Sequence, residues 1–216
     1  MTARAQTHAE EIANSITHGA GAVAGLAVLA VLVTFAAFTG DPWRIVSVSV
    51  YGVSIVLLFT ASALYHGAVA PGRKRFFQLL DHAAIFLLIA GTYTPFTLVT
   101  FRGTLGWTVF GVVWGIAALG ITLTVFFVGR FRLLFLALYL AMGWIIVLAV
   151  KPMMAVLPPG GLAWVVAGGL CYTVGVVFYL WRGLRFGHTI WHLFVLAGSA
   201  CHFMGILFYV VPPRAV

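Results

Sequence analysis

Seven apolar runs divide the chain, and each is close to the length at which a helix crosses a lipid bilayer. They cover residues 19–38, 45–65, 80–100, 105–128, 133–150, 161–181 and 189–211. A transmembrane helix needs about 20 apolar residues, whereas a transmembrane strand needs only about ten and alternates in polarity. The runs therefore predict an all-α polytopic membrane protein, a bundle of seven transmembrane helices, and exclude transmembrane strands.

The composition agrees with a lipid environment. Hydrophobic residues make up 63% of the 216 residues and charged residues 7%, whereas about a quarter of an average soluble domain is charged. The excess of 12 basic over 4 acidic residues would indicate nucleic acid in a soluble protein. Here it predicts loops that face anionic lipid headgroups, and no nucleic-acid partner. Cys171 and Cys201 lie inside apolar runs and are interpreted as packing residues.

The segment before the first run is polar and predicts a short helix at the membrane surface before the chain turns into the bilayer. Because it reads MTARAQTHAEEIANS, no cleavable signal peptide is expected, and the first span acts as the insertion signal. Residues 1–18 are thus interpreted as an interfacial segment on the cytoplasmic side, 19–211 as the seven-helix domain and 212–216 as an extracytoplasmic tail.

The basic residues predict the orientation of the bundle. Eight fall on the side shared with the N-terminus: Arg4, Arg73, Lys74, Arg75, Arg130, Arg132, Arg182 and Arg185. Four fall on the other side: Arg44, Arg102, Lys151 and Arg214. Since cytoplasmic loops carry more Lys and Arg, the N-terminus is predicted to lie in the cytoplasm and the C-terminus outside.

Ionisable residues recur at the ends of three runs. His66 ends the second run, Asp81 begins the third, and His188 and His192 begin the last. In a seven-span chain these ends all lie on the cytoplasmic side. A carboxylate at the mouth of an apolar helix is costly unless another group offsets its charge. The pattern therefore predicts one site assembled from distant parts of the chain.

The residue types at this site are those of a zinc centre. His188 and His192 are four residues apart, so both imidazoles lie on one helix face, and His66 adds a third nitrogen. Three imidazoles with one open position are typical of catalytic zinc. Asp81 can fill that position directly or hold a water, and Ser62, one turn before His66, can support the site. The alternative is a buried ion pair and hydrogen-bond network without a metal.

The remaining histidines receive separate interpretations. His202, deeper in the last span, is expected to bond a neighbouring carbonyl group. His82 is expected to point away from Asp81 and to lie at the interface. His8 is expected to be solvated, and the reach of His18 stays open.

The motifs resemble those of a known family. Ser62, His66, Asp81, His188 and His192 stand as in the progestin and adipoQ receptor family. The whole chain is similar to its bacterial branch, the hemolysin III family, through three segments: EEIANSITHGAGA, LDHAAIFLLIAGTYTPF and HTIWHLFVLAGSACHF. The resemblance implies a seven-helix bundle in a bacterial inner membrane, with a cytoplasmic N-terminus. It also implies zinc held by His66, His188 and His192, with Asp81 nearby.

Three functions are compatible with this resemblance, which extends to receptors, ceramidase-like enzymes, membrane homeostasis and haemolysis. The first is a zinc-dependent hydrolase of a lipid amide or ester, with Asp81 and Ser62 as catalytic candidates. The second is a lipid or membrane-state sensor with a structural zinc. The third is a pore, which ranks last because the spans carry few of the polar groups that line aqueous channels. In each case the expected partners are membrane lipids.

Overall fold

A computed structural model of the protein describes residues 6–181 and 183–212, and its regular structure over these residues is entirely helical. The helices are α1 (His8–Phe38), α2 (Pro42–Gly67), α3 (Pro71–Pro95), α4 (Thr104–Phe127), α5 (Arg132–Gly143), α6 (Val150–Val156), α7 (Pro159–Leu180) and α8 (Gly187–Tyr209). A 3-10 turn, Ile145–Ala149, joins α5 to α6. Arg4, Arg182 and residues 213–216, which include Arg214, lie outside the described residues.

Seven helical segments in the described ranges are long and apolar enough to cross a membrane. Six of them each contain one long helix, and the seventh, Arg132–Val156, consists of α5, the 3-10 turn and α6. The predicted all-α, seven-helix membrane architecture is confirmed.

Two helices, α1 and α3, begin well before their apolar runs at residues 19 and 80. α1 starts at His8 and continues to Phe38 without a break, so the expected surface helix and the first span are a single helix. A capping box between Thr7 and Glu10 stabilises its start. α3 starts at Pro71, which occupies the first helical turn, so the basic link 73–75 lies inside a helix. Apolar runs locate the part of a helix that lies in lipid, not its polar extension.

The order of packing brings the first and last helices of the chain together. α1 packs against both α2 and α8, α2 against α3, α3 against α4, and α7 against α8. Glycines allow α1 to approach α2 closely. A Cβ atom on Gly52 would lie 2.6 Å from a methyl carbon of Leu29, and one on Gly25 would lie 2.8 Å from a methyl carbon of Ile55. The first helix is therefore a tightly packed part of the bundle.

Pro95 ends the regular α-helical pattern of the third span. A π-helical turn, Phe96–Thr100, follows it directly. The hydroxyl of Thr97 donates to the carbonyl groups of Tyr93 and Thr94, at 3.0 and 3.1 Å. The Thr97 hydroxyl thus bonds two carbonyl groups next to the change from the α-helical to the π-helical pattern.

The orientation of the bundle remains a prediction that site-directed labelling can test. In a chain whose Cys171 and Cys201 are replaced by alanine, Arg73→Cys should react with an impermeant maleimide only from the cytoplasmic side. Thr104→Cys, which is also exposed but lies at the opposite end of the bundle, is the matched control and should react only from outside. Reaction of Arg73→Cys only from outside, and of Thr104→Cys only from the cytoplasmic side, would show that the bundle has the opposite orientation.

Candidate metal centre

Two helices supply the three histidines of the predicted site. His66 lies in the last turn of α2, and His188 and His192 lie in the first two turns of α8. Before α8 the chain turns at Phe186, whose φ of 56° is left-handed, and Gly187 begins the helix. The backbone N–H of Phe186 donates to Glu10 Oε1 at 2.9 Å. α1 thus anchors the turn from which His188 and His192 project.

The three imidazoles converge. The ring centroids of His66 lie 5.0 Å from those of both His188 and His192, and the latter two are 4.6 Å apart. One nitrogen from each ring lies within 4.8 Å of one from each of the other two. The structure therefore brings together three residues that are up to 126 positions apart in the chain.

The hydrogen bonding of these rings leaves nitrogens without a protein partner. His66 Nε2 and His192 Nδ1 are buried and make no hydrogen bond. Buried polar atoms normally have a partner, so two such nitrogens in one cluster need an explanation. A metal ion would satisfy them, and three imidazoles are a donor set that zinc prefers. The residues present fit a metal centre.

The other nitrogen of His66 is occupied. Its Nδ1 lies 2.7 Å from Glu11 Oε2, and the second carboxylate oxygen of Glu11 lies 2.8 Å from Lys74 Nζ. Lys74 also donates to the carbonyl group of Tyr65 at 3.3 Å. A chain of polar contacts thus runs from α3 through α1 to the histidine on α2.

One face of α1 supplies residues that the sequence interpretation did not assign to the site. Besides Glu11, Asn14 Oδ1 accepts a 2.6 Å hydrogen bond from Thr189, between the two histidines of α8. His18, whose reach was left open, stacks on His192 with ring centroids 3.5 Å apart and an interplanar angle of 9°. The signal was the spacing of Glu11, Asn14 and His18 by three and four residues, which places polar groups on one face of a helix.

Ser62 and Asp81 reach the same region from α2 and α3. Both line a cavity of about 440 Å³ that also contacts His66, His188 and His192. The Ser62 hydroxyl is buried, and the Asp81 side chain is 13% exposed. Asp81 is not part of the group whose ligand atoms lie within 4.8 Å of one another. Its direct ligation of a metal stays a prediction.

The remaining histidines divide into expected and unexpected positions. His8 is exposed, and His202 Nε2 donates to the Val165 carbonyl group at 3.2 Å, as expected for both. The expectation that His82 points away from Asp81 is wrong. Its Nδ1 lies 3.6 Å from Asp81 Oδ2, and its ring lines the cavity beside that carboxylate. The bond from His82 Nδ1 to the Gln78 carbonyl group, at 2.8 Å, orients the ring in this way.

The chain is similar to known proteins over most of its length. A family model described as haemolysin-III related matches residues 6–203. The chain is 48% identical over 195 residues to hemolysin-3 of Bacillus cereus, covering 90% of this chain and 89% of that protein. It is 47% identical over 186 residues to a hemolysin-3 homolog of Bacillus subtilis (strain 168), covering 86% and 87%. It is also 30% identical over 197 residues to the human monocyte to macrophage differentiation factor, covering 86% and 78%.

Proposed function

The chain belongs to the haemolysin-III-related family, and we propose that it is a zinc-dependent membrane hydrolase that cleaves an amide or ester bond of a membrane lipid. His66, His188 and His192 hold the zinc ion in this proposal. The observation that carries it is the position of the histidine cluster on the wall of a large cavity between transmembrane helices.

The cavity has the properties of a site for an amphiphile. Its volume of about 440 Å³ lies in the range of ligand-binding pockets. The three histidines, Ser62 and Asp81 share its wall with many aliphatic and aromatic residues, which include Leu58, Ile85, Leu88, Phe96, Leu136 and Val195. A lipid can therefore place its polar linkage near the cluster and its acyl chain against the apolar wall.

The polar groups of the chain have distinct roles in this reaction. Zinc, when bound, supplies Lewis-acid activation of a lipid carbonyl group and of water. Asp81 is the one carboxylate among the described residues that line the cavity. It accepts the proton released as water attacks the carbonyl carbon and returns it to the leaving group. Ser62, one helical turn before His66, offers a buried hydroxyl to orient the substrate or Asp81.

A lipid panel tests this function directly. Protein purified in nanodiscs is analysed for zinc and incubated with N-acyl sphingoid lipids, phospholipids and monoacylglycerols, and free fatty acid is measured by mass spectrometry. We expect release of fatty acid from one lipid class, and loss of that release after zinc is removed with a chelator. His8→Ala, which removes an exposed histidine that does not line the cavity, is the control and should retain the activity.

The same experiment separates the alternatives. Full zinc occupancy without release of fatty acid from any lipid would favour a sensor in which the metal joins α2 to α8. The two Bacillus relatives are named hemolysin-3 and hemolysin-3 homolog, so vesicles loaded with a fluorescent dye are included. Dye leakage that tracks protein concentration and persists without zinc would favour a pore.

A further inference from the structure

We infer that Glu11 is a positioning residue of the metal centre: it holds His66 through Nδ1 and thereby directs Nε2 at the metal. Lys74 completes this unit by holding the other oxygen of the same carboxylate. The inference rests on the proposed metal site, and it assigns a role to the first helix that the motif residues on α2, α3 and α8 do not show.

The distances determine which atom donates in this contact. His66 Nδ1 has two polar neighbours, Glu11 Oε2 at 2.7 Å and Asn14 Nδ2 at 3.5 Å. An ionised carboxylate only accepts hydrogen bonds, and a separation of 2.7 Å is that of a strong, charge-assisted bond. Nδ1 must therefore carry the hydrogen and donate it to Glu11. Asn14 directs its Nδ2 group to Gln6 Oε1 instead, at 2.8 Å.

This tautomer leaves the correct atom available for a metal. With the hydrogen on Nδ1, the lone pair of neutral His66 is on Nε2, which is buried and has no hydrogen-bond partner. Metal-ligating histidines usually donate their other ring N–H to a carboxylate or carbonyl group. Such a partner fixes the ring orientation and raises the basicity of the ligating nitrogen.

Lys74 gives Glu11 its position and keeps it charged. Its Nζ lies 2.8 Å from Glu11 Oε1, and it also contacts the Tyr65 ring, with Nζ 4.9 Å from the ring centroid. Tyr65 directly precedes His66 at the end of α2. Lys74, near the start of α3, therefore contacts both the Glu11 carboxylate and the end of α2. The basic link was interpreted from sequence only as a determinant of topology, but one of its residues belongs to the site.

Two measurements on Glu11 variants test the inference. In metal-free protein labelled with ¹⁵N-histidine, the His66 resonances, assigned by their absence in His66→Gln, should report the Nδ1–H tautomer. Glu11→Leu should shift this population toward Nε2–H. The zinc affinity of Glu11→Leu, measured by competition with a chelator, should fall about 10- to 100-fold. Glu11→Gln keeps an acceptor oxygen and should lose less.

Two further variants control for packing and charge. Ser15→Ala removes another contact between α1 and α2, the 2.9 Å bond from Ser15 Oγ to the Ala63 carbonyl group, and should leave both the tautomer and the zinc affinity unchanged. The double variant Glu11→Leu/Lys74→Met leaves no unpaired ammonium group and should bind zinc as weakly as Glu11→Leu. An unaltered tautomer and affinity in Glu11→Leu would overturn the positioning role alone. Absence of zinc binding in the unmodified protein would overturn the metal centre as well.

Discussion

Purified His66→Ala, His188→Ala and His192→Ala proteins are expected to contain at least tenfold less zinc than the unmodified protein, which should contain about one ion per chain. Each histidine contributes one of only three imidazole nitrogens to the cluster. Removal of any one of them leaves two ligands, too few for the three-protein-ligand set of a catalytic zinc site. Elemental analysis of protein in nanodiscs, normalised to protein by amino-acid analysis, measures the loss.

Another buried histidine, His202, provides the control for this experiment. His202 lies on the same helix as His188 and His192, and is buried with a bond to a carbonyl group. His202→Ala also removes a buried imidazole, as the cluster variants do, but it should retain its zinc. If all three cluster variants keep the zinc of the unmodified protein, the metal is bound elsewhere and the proposed centre is wrong.

Asp81→Asn is expected to retain most of the zinc and to lose hydrolysis by at least about 100-fold, the usual contribution of a general base. Asparagine has nearly the shape of aspartate, but its amide cannot accept the proton from water. The separation of Asp81 from the compact histidine cluster supports this expectation. Zinc content, melting temperature and fatty-acid release are measured together on this single variant.

The alternative role of Asp81 gives the opposite combination of results. If Asp81 is a direct ligand in a closed site, Asp81→Asn should lose zinc and thermal stability together, because metal binding contributes to the free energy of unfolding. His82 lies 3.6 Å from Asp81, so His82→Phe is the matched control for disturbance of that wall of the cavity. It should retain zinc and a measurable rate, and loss of zinc in His82→Phe would show that disturbance of this wall is enough to empty the site.

Sequence reasoning located the principal components of the site because each one left a local signal. The i, i+4 spacing of His188 and His192 places them on one helix face, and the helix that begins at Gly187 confirms it. The seven apolar runs then placed the end of α2 and the start of α8 at one side of the membrane, where His66 joins the pair. Resemblance to the family through the same motifs agreed with the match over residues 6–203.

The orientation of His82 and the role of α1 had no comparable signal. A bond to the Gln78 carbonyl group turns the His82 ring toward Asp81, and a rotamer of this kind depends on neighbouring atoms. Glu11 looked like part of a polar surface segment because its partners, His66 and Lys74, are 55 and 63 residues away in the chain. Spacing along one helix shows which residues share a face, but not which helix that face meets.

The sequence by itself determined the membrane architecture, because the length and apolarity of a run must match the bilayer whatever its neighbours are. It also determined the candidate ligands, because zinc selects imidazole nitrogens in open, three-histidine sets. Only the tertiary structure decided that α1 packs between α2 and α8 and carries Glu11 to His66. That decision depends on side-chain packing between distant segments, including the close approach at Gly25 and Gly52. Such contacts are the product of many short-range interactions summed over the whole bundle, and no local pattern encodes them.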